Sequence, residues 1–203
     1  MEREEDKFLL KEPDISYGNY TYADYLTWNM DEMVELIKGK VFKKAAAAPR
    51  RIHQWLAGNL YTEFNLFLKG KKCQAYIAPF DVRLPIKSKK DEEIVTVVQP
   101  DICVVCDMEK LDDRGCIGAP DLVVEVLSPG NKQLELQKKY EVYEESGVKE
   151  YWLMDPEGHT LLIYTLIQGK YQPSRLMTSG DTAKSSVILG FELDLEVFFA
   201  EIK

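Results

Sequence analysis

Two apolar runs that each enclose an acid constrain this chain more than any other feature. The first is Val97-Val98-Gln99-Pro100-Asp101-Ile102-Cys103-Val104-Val105, and the second is Pro120-Asp121-Leu122-Val123-Val124-Glu125-Val126-Leu127. Short β-branched runs bounded by proline and glycine read as buried strands. A carboxylate inside a buried strand is costly unless something pairs with it. Two of them on neighbouring strands repel unless a cation lies between them. Hard divalent cations prefer carboxylate oxygen. Asp101 and Glu125 are therefore candidate ligands for Mg²⁺ or Mn²⁺. Lys139, on a helix after the second run, points to chemistry on a negatively charged group.

Cheaper readings stand beside these. Glu125 could pair with a core arginine or lysine, and Asp101, after Pro100, could be a strand-entry or capping residue. In the second run Asp121, Val123, Glu125 and Leu127 share a face. Asp121 sits at the strand entrance, where solvation is easy, whereas Glu125 is deep. Leu136, Lys139, Tyr140 and Tyr143 share one helix face, which should pack on the sheet, while Lys138 points elsewhere. Glu135 lies four residues before Lys139, so a surface ion pair is the alternative. A half-buried lysine beside carboxylates and a metal can orient water or meet developing phosphate charge.

The chain is 203 residues long, enough for one sizeable core. We expect a leader over residues 1–19 and a single domain over 20–203. No apolar run approaches the ~20 residues of a membrane span. The charged start, Met1-Glu2-Arg3-Glu4-Glu5-Asp6, is not a secretory signal, so a cytoplasmic location is expected. The four cysteines predict free thiols. Cys103 and Cys106 have CxxC spacing, but strand alternation puts them on opposite faces, away from a shared zinc. Cys73 and Cys116 have no nearby partner in sequence.

Net charge is −8, against the usual expectation for a nucleic-acid enzyme. The distribution qualifies that sum. Residues 36–90 hold 13 basic and 2 acidic residues, while both flanking segments are acidic. Lys43, Lys44, Arg50 and Arg51 lie in this segment. It could form a phosphate-facing surface, or its lysines could simply be solvated. His53 opens a helix beside the two arginines, so it could touch phosphate or be an ordinary polar surface group.

Periodicity and turn residues predict the elements. Thr21 caps a short helix over about 22–30. Residues 33–42 form two strands around Lys38-Gly39. Ala45-Ala46-Ala47-Ala48-Pro49 links them to a helix over about 50–69. Strands follow near 73–78, 80–86, 97–106 and 121–127, with a charged tip at 87–93 and an irregular loop at 107–119. Ser128-Pro129-Gly130-Asn131 stops the last strand. A helix over 132–146 ends at Gly147. Strands at 151–154 and 160–167 and shorter ones complete the chain.

At this point the chain resembles a family. Val34-Glu35-Leu36-Ile37-Lys38-Gly39-Lys40-Val41, the position of His53, Gln99-Pro100-Asp101, the run from Pro120 to Pro129, and the run from Tyr143 to Pro156 are similar to segments of the Uma2 family. That family is a group of endonucleases within the PD-(D/E)XK, restriction endonuclease-like superfamily. The resemblance spans roughly residues 20–199. It implies an α/β fold with a central mixed sheet flanked by helices, and extra β-hairpins at both ends. It also implies a Mg²⁺-dependent endonuclease acting on DNA. Asp101 and Glu125 would be metal ligands, Lys139 catalytic, and Glu35 a further acid of the site. The superfamily's lysine two residues after the Glu is replaced by Leu127, and the resemblance supplies it from the next helix. Glu135 stands where the family tends to carry aspartate.

Three functional readings remain from the sequence. One is a metal-dependent DNA endonuclease. The second is a protein that keeps the nuclease fold for nucleic-acid binding or interaction without cleavage. The third is a structural or toxin-partner role, and metal-dependent cleavage separates the first from the others. Edge strands needing cover also predict a homodimer.

Overall fold

The computed structural model describes residues 18–28, 33–43, 50–128, 133–200 and 202. Most of the expected leader, Lys44, the alanine linker and Pro129-Gly130-Asn131 lie outside these residues.

In chain order the strands are β1 (Val34–Ile37), β2 (Lys40–Lys43), β3 (Gln74–Ile77), β4 (Val82–Arg83), β5 (Val97–Val98), β6 (Ile102–Val105) and β7 (Leu111–Asp112). They continue with β8 (Gly115–Ile117), β9 (Leu122–Val126), β10 (Glu150–Asp155), β11 (Thr160–Ile167), β12 (Lys170–Pro173), β13 (Thr182–Lys184) and β14 (Glu192–Asp194). The α-helices are α1 (Tyr22–Tyr25), α2 (Arg51–Leu68), α3 (Gln133–Ser146) and α4 (Leu195–Ala200).

The central sheet has the order β12-β11-β10-β9-β6-β3. It is mixed: β9 and β10 run parallel, and the other neighbours run antiparallel. Helix α3 is the crossover that parallel neighbours require. Strand alternation sends Ile102, Val104, Leu122, Val124 and Val126 to one face, where Leu56, Leu60 and Phe64 of α2 cover them. Cys103, Val105 and Val123 go to the other face, against Val142 and Tyr143 of α3. Burying each large apolar side chain contributes roughly 1.5–3 kcal/mol. Both faces are thus covered, which is why β9 reads as a nearly continuous apolar run.

A second sheet, β2-β1-β5-β4-β8-β7, packs beside this core. Its β1–β2 hairpin turns at Lys38 and Gly39, both with positive φ, as a primed two-residue turn requires. The expected 97–106 strand is two strands, one in each sheet. Pro100 has no amide hydrogen to continue a ladder, and the chain leaves one sheet there for the other. The expected loop at 107–119 contains a 3₁₀ turn at Met108–Lys110 and the β7–β8 hairpin. Gly115 allows that hairpin: its φ is +124°, and a Cβ there would lie 2.2 Å from the Asp81 carbonyl oxygen. Helix α1 is one turn long, closed by a capping box between Thr21 and Asp24.

The cysteine expectation is corrected. Cys73 and Cys106 form a disulfide, while Cys103 and Cys116 remain buried thiols. Strands β3 and β6 pair antiparallel with Gln74 opposite Val105, so one further step sets Cys73 beside Cys106. Sequence spacing could not reveal that register. No helix among the described residues is long and apolar enough to cross a membrane.

Candidate active site

The site lies where the two sheets exchange the chain. Glu35 comes from β1, Asp101 from the residue before β6, Glu125 from β9 and Lys139 from α3. Ile102 pairs with Val124, so Asp101 faces Glu125 one step along. The Val126 amide donates to Asp101 Oδ2 at 2.8 Å, which fixes this juxtaposition. All four residues are buried: Glu35 is 1 % exposed, Asp101 8 %, Glu125 6 % and Lys139 2 %.

Lys139 ties the acids together. Its Nζ donates to Glu125 Oε1 at 2.9 Å and lies 3.0 Å from Glu35 Oε1. The surface pair with Glu135 therefore does not describe its position. Lys138 instead reaches Glu141 on the outer face of α3. Burial alone would lower the Lys139 pKa, but Glu125 and Glu35 more than offset it and hold the ammonium well above its usual range. Lys139 stays charged at any working pH. Removing it would leave two buried carboxylates facing each other.

Each acid is held by further donors. Tyr143 Oη donates to Glu125 Oε1 at 2.7 Å. Burial, then the Glu125 and Glu35 charges, keep that phenol well above its usual pKa, so it remains a donor. The Gln99 amide donates to Glu35 Oε1 at 2.8 Å. Gln99 Nε2 reaches Asp81 at 2.8 Å and the Tyr25 hydroxyl at 3.2 Å. Tyr143 and Gln99 were not singled out as site residues from sequence. The signal for Tyr143 was present, one turn after Lys139 on the same face.

The donor set is all oxygen, which suits a hard divalent ion. Among the described residues no three of His, Cys, Asp or Glu converge to enclose a metal. Two carboxylates fit Mg²⁺ nonetheless, because Mg²⁺ binds through one or two carboxylates and takes its remaining ligands from water and phosphate.

The residues expected to meet nucleic acid divide. Arg50 is exposed and pairs with Glu157 at 2.8 Å, and Arg51 is exposed at the start of α2. Lys43 ends β2, and Lys44 lies outside the described residues. His53 is buried, with Nε2 3.2 Å from Asp101 Oδ2. It belongs to the acid cluster and not to the basic surface.

The model of the Uma2 family, described as a putative restriction endonuclease, matches residues 22–196. The chain belongs to the Uma2 family. An uncharacterized protein of Synechocystis is 25 % identical to this Uma2 chain over 144 residues, which cover 70 % of the chain and 71 % of that protein. A crystal structure of a putative nuclease belonging to DUF820, from Anabaena variabilis, superposes with a TM-score of 0.71 at 19 % identity. It covers 89 % of this Uma2 chain and 98 % of its own. The shared fold is the mixed sheet with flanking helices on which the acids and Lys139 are mounted.

Proposed function

We propose that this protein is a divalent-metal-dependent endonuclease that hydrolyses DNA phosphodiester bonds. One observation carries the reading: a fully buried lysine sits between Glu125 and Glu35, with Asp101 opposite Glu125. A purely structural core has little use for three acids and a lysine at the seam of two sheets, since an apolar replacement is often as stable.

Asp101 and Glu125 would hold the metal. A bound Mg²⁺ would polarise the scissile phosphate and lower the pKa of a water molecule. The Lys139 ammonium would meet the negative charge that develops on the phosphate. Glu35 would keep that ammonium in place, and Tyr143 would fix the rotamer of Glu125. Arg50, Arg51, Lys43 and Lys44 would contact the DNA backbone without taking part in the chemistry.

Supercoiled plasmid and single-stranded oligonucleotides are the test substrates, with Mg²⁺ or Mn²⁺ and an EDTA control. Metal-dependent cleavage that Glu125→Gln abolishes while the thermal transition stays near wild type supports the reading. Cleavage that persists in Glu125→Gln refutes it. The second reading, a nuclease fold used only for binding, is favoured by Leu127 in the place of the superfamily lysine. DNA binding without cleavage in any metal would select it.

A further inference from the structure

The geometry points to His53 as the positioning residue for Asp101, a role that rests on the nuclease reading above. His53 sits in the first turn of α2 and is 9 % exposed. Its Nε2 lies 3.2 Å from Asp101 Oδ2, and that same oxygen accepts the Val126 amide at 2.8 Å. An ionised carboxylate only accepts hydrogen bonds, so the ring carries its hydrogen on Nε2 in either charge state. Asp101 Oδ2 is thereby held between an imidazole on α2 and a backbone amide on β9. The carboxylate cannot rotate without losing both bonds.

The other ring nitrogen supports this assignment. Nδ1 is buried and has no hydrogen-bond partner among the described residues. The Asp101 contact is therefore the polar interaction that orients the ring there. A phosphate contact would need the imidazole in solvent, where Arg50 and Arg51 are. Partners that orient a metal-binding carboxylate in this way govern metal affinity, and losing one weakens it about 10–100-fold. Helix α2, which otherwise contributes apolar packing, thus reaches the metal site through one residue.

The experiment is a Mn²⁺ titration of the full chain, followed by the electron paramagnetic resonance signal of free Mn²⁺. Wild type is compared with His53→Ala, His53→Gln and His53→Asn, and each variant's DNA binding is measured in EDTA. His53→Ala should raise the Mn²⁺ Kd about 10–100-fold. His53→Gln carries an amide N–H to the position of Nε2 and should recover to within a few-fold. His53→Asn is one methylene too short and should not recover. DNA binding in EDTA should be the same for all four, and excess Mn²⁺ should restore most of the lost kcat. If His53→Ala does not fold, the difference between Gln and Asn decides. Unchanged Mn²⁺ affinity in the variants overturns the role. So does a loss confined to metal-free DNA binding. Nitrogen hyperfine coupling from a directly bound imidazole would make His53 a ligand and overturn positioning. Failure of wild type to bind Mn²⁺ overturns the nuclease reading itself, and the role of His53 with it.

Discussion

Lys139 Nζ sits 2.9 Å from Glu125 Oε1 although the two residues are 14 positions apart, on an element change from strand to helix. In the PD-(D/E)XK pattern that the sequence resembles, a lysine would stand two residues after the acid, where this chain has Leu127. Here the cation arrives from α3, which crosses over between parallel β9 and β10. A cation thus reaches Glu125 from the following helix and not from its own strand.

Replacing Lys139 separates chemistry from stability. Lys139→Ala should abolish cleavage and lower stability by about 3–5 kcal/mol, since it strands Glu35 and Glu125 together in the interior. Millimolar Mg²⁺ should raise the melting temperature of the variant more than that of wild type, because the ion replaces the missing charge. Differential scanning fluorimetry with and without Mg²⁺ reads this directly, and equal shifts in both proteins would remove Mg²⁺ from the site.

Glu150 anchors the C-terminal segment to the central sheet. It is 1 % exposed and accepts bonds from Trp152 Nε1 at 3.0 Å, Ser185 Oγ at 2.7 Å, and the Ser186 amide and hydroxyl at 2.6 and 2.5 Å. Glu150→Ala leaves these donors without an acceptor and should cost about 3 kcal/mol or more. The loss should appear in urea unfolding and as earlier proteolysis near residues 185–190. Unchanged protease sensitivity would show that other contacts suffice.

Acid should weaken the second sheet at the Arg83–Asp112 pair. Arg83 is fully buried, and Asp112 accepts its guanidinium at 2.5 Å. The hydrogen bond from Arg83 holds the Asp112 carboxyl below its usual range. A depressed carboxylate contributes stability that is complete above the unfolded value of ~3.9 and lost as pH falls through the folded value. Asp112→Asn should therefore cost about 1–2 kcal/mol near neutral pH, discounted because Asp112 is partly exposed. As pH falls through that depressed folded value, the variant and wild type should converge. A constant difference across denaturation curves from pH 2 to 7 would exclude this pair as the cause.

Reduction should destabilise the protein. The Cys73–Cys106 bond spans a sequence separation of 33, and a loop of that size is worth about 3–4 kcal/mol in the unfolded chain. Under non-reducing denaturing conditions two of the four cysteines should resist alkylation, and all four should react after reduction. Four reactive thiols without reductant would show the pair to be open in solution.

Arg50 and Arg51 should set the ionic-strength dependence of DNA binding. Each alanine substitution should reduce the slope of log K against log salt by about 0.9 while sparing metal affinity. Glu157→Ala should strengthen binding at low salt, since it frees Arg50 from its 2.8 Å ion pair. Filter binding between 50 and 200 mM salt is the measurement.

The sequence carried the core of the fold because its signals were local. Strand β9, helix α2 and helix α3 announce themselves by period and by their bounding glycine and proline. Lys139 could be assigned to the buried face from its neighbours Leu136, Tyr140 and Tyr143. What stayed hidden depends on register and on which sheet a strand joins. The Cys73–Cys106 pairing follows from Gln74 meeting Val105, which no spacing encodes. The split at Pro100 was read as one strand, since the apolar pattern on both sides of it is continuous. His53 looked like a surface residue beside two arginines. Only the three-dimensional placement of the α2 N-terminus above β6 brings it to Asp101.

The passage of the chain from one sheet to the other at Gln99-Pro100-Asp101 makes the acid cluster a joint. Glu35 rides on one sheet, and Asp101 and Glu125 belong to the other, with the Gln99 amide and Lys139 spanning the gap. A shift of the β1–β2 hairpin by even an ångström would pull Glu35 off Lys139 without disturbing the central core. The chemistry proposed for this site would therefore be tuned by how the two sheets are seated on each other, and remote substitutions in that seating would register as changes in rate before they register as changes in melting temperature.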